Sequence, residues 1–151
     1  MSVIILLDAG PLGMITNPRS SPENEACKDW LAHVVSTGAE VVVPEIADYE
    51  VRRELLRAGK EKGLGRLDAL KAMLAYAPIT TAIMLKAAEY WATARRMGRQ
   101  SADDASLDAD MILAAQADAL DRGGNQAVVA TTNLRHLALF APARLWRDVM
   151  R

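Results

Sequence analysis

The sequence predicts an α/β protein built on a central, mainly parallel sheet, and three observations predict it. The runs "VIILL", "AEVVVP" and "AVVATTN" are apolar, rich in β-branched residues and largely without polar alternation, the signature of strands buried on both faces. Helical patterns lie between these runs, as they do where crossover helices connect parallel strands. The chain has 151 residues and is 51% hydrophobic, enough for one full core and too little for two comfortable ones, so residues 1–151 read as a single domain.

"VIILLDAGP" gives a first strand that stops at Asp8, with a turn at Gly10 and Pro11. "NPRSSPENEACKDWLAHVVSTG" holds turn residues and then a helix from about Glu23 to Val35, ended near Gly38. "AEVVVP" is the second strand. Pro44 suits the first turn of a helix, where its missing N–H costs nothing, and "EIADYEVRRELLRAG" sets Ala47, Val51, Leu55 and Ala58 on one stripe. "GRLDALKAMLAYAP" and "TAIMLKAAEYWATARRMG" read as two further helices, the second with Ile83, Ala87, Tyr90, Trp91 and Ala94 inward. "LDADMILAAQADALDRGG" is an alanine-rich helix closed by glycines, "AVVATTN" a strand and "ARLWRD" a weaker one.

Composition excludes several classes. Cys27 is the only cysteine, so neither an internal disulfide nor a thiolate zinc site is available. The opening apolar run is short and lacks a basic leader, so it reads as neither signal peptide nor membrane span, and a cytoplasmic location is expected. A formal charge of −1 offers no global attraction to nucleic acid, which leaves only local basic patches for a polyanion. Neither a P-loop nor GxGxxG follows a strand.

In an open parallel sheet the carboxyl ends of the strands share one edge, where ligands bind. Asp8, Glu45 and Asn133 follow strands there, while Glu50 and either Asp108 or Asp110 can be added from the early turns of helices. Such oxygen ligands, without cysteine or a histidine pair, suit Mg²⁺ or Mn²⁺. Each acid also has a plain structural use: Asp8 in an Asx turn, Glu50 on a solvated helix face, Asp108 as an N-cap. Asp110 shares a stripe with Leu113, Ala114 and Ala117, but Asp108 shares one with Ile112 and Ala115. Periodicity does not choose between them.

Taken together, "LLDAGPL", "VPEIADYEVRREL", "GR" at Gly98 and Arg99, "DADMILAAQA" and "VVATTNLRHL" resemble, in order and spacing, the PIN-domain family, which includes the VapC-type toxins. The resemblance implies an α/β/α sandwich, metal-dependent cleavage of RNA, a homodimer and, for a toxin, a cognate antitoxin as partner. It assigns the acids to Asp8, Glu50 and Asp110 and a fourth position to Asn133. Two departures stand out: Ala9 and Gly10 occupy positions where the family commonly carries Thr or Ser, and Asn133 is neutral. Asp108, Arg135 and His136 are the candidates for substrate contact, with a second group of cations at Arg52, Arg53, Arg57, Lys60, Lys62 and Arg66 and a third at Arg95, Arg96 and Arg99. Two rival readings remain at this stage: a PIN-like module that binds nucleic acid without cutting it, and a phosphotransferase with a strand-end aspartate.

Overall fold

The computed structural model describes residues 2–98, 104–134 and 136–150. Its core is a five-stranded, all-parallel sheet in the order β3-β2-β1-β4-β5, formed by β1 (Val3–Leu7), β2 (Glu40–Pro44), β3 (Ala75–Ala77), β4 (Gln126–Thr131) and β5 (Ala143–Leu145). The helices are α1 (Ala9–Thr16), α2 (Pro22–Ser36), α3 (Glu45–Arg57), α4 (Glu61–Met73), α5 (Thr81–Arg96) and α6 (Asp104–Leu120). Strand alternation supplies the layers. Ile5, Leu7, Val41 and Val43 pack with Leu12, Cys27, Val34 and Leu67 on one face, whereas Ile4, Leu6, Val42 and Val129 pack with Leu113, Ala114 and Ala117 on the other. The result is the expected α/β/α sandwich.

Two elements depart from expectation. Residues 9–16 form a helix rather than a turn, because Asp8 caps it and Pro11 falls in its first turn, where proline forfeits no intrahelical hydrogen bond. Gly10 serves packing there: a Cβ at that position would collide with the side chain of Thr132. The second difference is β3, three residues that complete the sheet's edge where the sequence reads as a continuous helix. Helix α6 also starts earlier than expected, so Asp108 lies within the helix and is not its N-cap. "ARLWRD" yields only a three-residue strand before turning into a 3-10 segment at Trp146–Asp148. Trp30 and Trp146 are buried edge to face, with the Trp30 indole donating to the Val149 carbonyl at 2.9 Å.

Candidate functional site

Strand order sets the location. β1 is flanked by β2 on one side and β4 on the other, and the chain reaches β2 through α1 and α2 but β4 only after α5 and α6, so the sheet's direction of winding reverses between β1 and β4. Asp8 and Thr131 end these two strands. The Asp8 N–H donates to the Ala130 carbonyl at 3.0 Å, and its carboxylate is held by two donors: the Ala9 N–H on Oδ1 at 2.7 Å and the Thr131 hydroxyl on Oδ2 at 2.6 Å. Burial raises the Asp8 pKa while these two hydrogen bonds pull it down.

Two helices bring acids to the same edge. Glu50 projects from the second turn of α3, which starts directly after β2. Its carboxyl is pushed up to about 7, first by burial, then by the negative charge of Asp8, with a smaller contribution from Asp110; Arg53 opposes these effects. Asp110, on α6, is partly buried, and its charge is felt at Glu50. The side chains of Asp8 and Asp110 are thus each near enough to Glu50 to act on it electrostatically. Among the described residues, however, no three His, Cys, Asp or Glu side chains already stand as a ligand group.

A profile for the PIN domain matches residues 5–138. The chain belongs to the PIN domain family. A search of curated proteins found no match. Among solved structures, this PIN domain is similar to a chain of VapBC2 from Rickettsia felis bound to a DNA fragment from their promoter, at 14% identity and a TM-score of 0.73, covering 95% of this chain and 98% of that one. It is also similar to VapBC-1 from nontypeable Haemophilus influenzae, at 18% identity, a TM-score of 0.68 and 96% and 99% coverage. A third similar structure is DNA-bound VapBC from Salmonella typhimurium, at 18% identity, a TM-score of 0.64 and 95% and 98% coverage. At these identities the likeness is one of fold.

Within the PIN domain the remaining sequence candidates separate. Asp108 is exposed and faces the groove between α5 and α6, beside Met84 and Trp91, while Asp110 is the α6 acid whose charge reaches Glu50. Asn133 is exposed at the site's edge, where its N–H donates to the Thr131 hydroxyl oxygen at 3.1 Å. His136 is buried at 7% exposure at the head of a 3-10 turn, Leu137–Leu139, which is a packing position. Arg135 and Arg99 lie outside the described residues. Arg52 is committed to Asp48 at 2.9 Å and Asp68 at 2.7 Å, and Arg57 to Glu54 at 2.7 Å, so these two cations serve local pairing. Thr131 is the residue that sequence reasoning missed. Its signal was available in "TTN": a hydroxyl at the end of the strand beside β1.

Proposed function

We propose that this PIN domain is a divalent-cation-dependent endoribonuclease and the toxin member of a toxin–antitoxin pair. Asp8, Glu50 and Asp110 are the proposed ligands for Mg²⁺ or Mn²⁺. One observation carries the reading: in a chain of the PIN family, Asp8 follows β1 at the sheet edge and α3 and α6 bring Glu50 and Asp110 within electrostatic reach of one another, a repulsion that a cation would relieve. The donors are carboxylate oxygens, which fits a hard ion.

When bound, the ion supplies a Lewis acid for the phosphodiester and a more acidic water. The chain's own groups do the rest. Thr131 and the Ala9 N–H fix the orientation of Asp8. One of the three acids would orient the attacking water. Asn133, exposed at the rim, is the proposed contact for the phosphate or for an ordered water. A cognate antitoxin is supported by the structural neighbours, each a VapBC assembly. Exposed Met84, Leu85 and Trp91 on α5 support a homodimer.

Incubating a mixed RNA pool with the protein and Mg²⁺, Mn²⁺ or EDTA tests the reading. Cleavage with metal and none with EDTA is expected. RNA binding without cleavage under any condition would instead indicate a non-cutting PIN module.

A further inference from the structure

A groove of about 700 Å³ runs between α1 and α3, within the ~300–1,000 Å³ typical of ligand sites. Its lining includes Ala9, Gly10 and Glu50, beside the acids, together with Val51, Leu55, Arg19 and Lys60. Among the described residues three cations line it, Arg19, Arg53 and Lys60, all exposed. Arg53 also lowers the Glu50 pKa, so one guanidinium that lines the groove is electrostatically linked to Glu50. Of the acids along its wall, Glu54 is already paired with Arg57 at 2.7 Å.

Gly13 lines the groove and adds no side chain to it. A Cβ at Gly10 would strike Thr132 and one at Gly63 would press on Leu55, but a Cβ at Gly13 meets nothing within 4 Å, and Gly13 does not have a positive φ. Neither packing nor backbone conformation calls for glycine at this point in α1, where glycine weakens a helix. What its absent side chain provides is open space in the groove.

We infer that this groove is a subsite for a single nucleic-acid strand flanking the phosphodiester at the acids, an inference that rests on the nuclease reading above. Bases would lie on the apolar floor of Val51 and Leu55, and phosphates would meet Arg19, Arg53 and Lys60. Charge decides the occupant: an apolar peptide would use the floor and leave three cations unmatched, whereas a strand engages both.

The test is fluorescence anisotropy with a short fluorescein-labelled single-stranded oligoribonucleotide, using wild type, Gly13→Leu, the pair Arg19→Ala and Lys60→Ala, and Gly65→Leu. Gly65 is an exposed helical control on α4 where a Cβ also meets nothing within 4 Å. Gly13→Leu should melt no lower than wild type yet bind the strand roughly tenfold more weakly, as expected for lost stacking. The paired substitution should reduce the log–log salt slope by about 0.7 for each phosphate contact removed, and Gly65→Leu should match wild type. Strand binding by folded Gly13→Leu equal to wild type, or no strand binding by wild type, overturns the subsite. Weakened binding by Gly13→Leu in a protein that cuts no RNA would retain the subsite and remove the nuclease reading; unchanged binding in a protein that cuts would do the reverse.

Discussion

The Thr131 hydroxyl donates to Oδ2 of Asp8 at 2.6 Å, joining the last residue of β4 to the carboxylate that ends β1. The bond crosses the place where the sheet reverses its winding. It supplies, from the neighbouring strand, a hydroxyl that Ala9 and Gly10 cannot offer. Because this bond favours charged Asp8 against the burial that disfavours it, Thr131 keeps the group available to a cation.

Thr131→Val should therefore do two things. Leaving a buried carboxylate oxygen without its donor costs about 1–3 kcal/mol, a fall in melting temperature of roughly 3–9 °C for a domain of this size. The Asp8 pKa should also rise further, weakening cation binding most at mildly acidic pH. Thr131→Ser retains the hydroxyl and should recover cation binding. Melting curves and metal titrations of both variants check this, and equal metal affinity in Thr131→Val and wild type would contradict it.

Stability without metal should fall as pH rises from 4.5 to about 7. Folded Glu50 holds its proton to about 7, whereas an ordinary glutamate releases it near 4.5, so the folded state binds more protons across that interval. Asp8, also raised, acts in the same direction. Denaturant midpoints in EDTA across this range measure the slope, which Glu50→Gln should flatten. An unchanged slope in that variant would mean that Glu50 titrates normally.

Much of this arrangement was legible in the chain. β1, β2 and β4 announced themselves because strands covered on both faces are continuously apolar, and that placed Asp8 and Asn133 at one edge. β3 was hidden because three residues, two of them alanine, follow a helical pattern without a break and acquire strand character only by pairing with β2. α1 was hidden by Gly10 and Pro11, which read locally as a turn; the requirement for glycine comes from Thr132, more than a hundred residues away. The choice between Asp108 and Asp110 could not be made from stripes because α6 packs on two sides: Leu107, Met111 and Ala115 toward α5, and Leu113, Ala114 and Ala117 toward the sheet.

That choice gives a paired test. Asp110→Asn should cut metal-dependent RNA cleavage by orders of magnitude while keeping the fold, since it removes charge from the proposed cation site. Asp108→Asn, altered at an exposed position in the α5/α6 groove, should stay within a few-fold of wild type. Initial cleavage rates at saturating Mn²⁺ compare them, and the opposite ranking would move the third acid to Asp108.

The central claim is that Asp8, Glu50 and Asp110 form one cation site, and calorimetric titration of Mn²⁺ into wild type and Glu50→Gln, with thermal melts of the same samples, tests it most directly. Wild type should bind Mn²⁺ and, at roughly tenfold excess over its dissociation constant, gain about 1.4 kcal/mol, a rise of roughly 3–6 °C. Glu50→Gln should melt at or above metal-free wild type, because repulsion with Asp8 and Asp110 is relieved, yet show little Mn²⁺ binding and little thermal gain. Equal Mn²⁺ affinity and equal thermal shifts in the two proteins would contradict the claim.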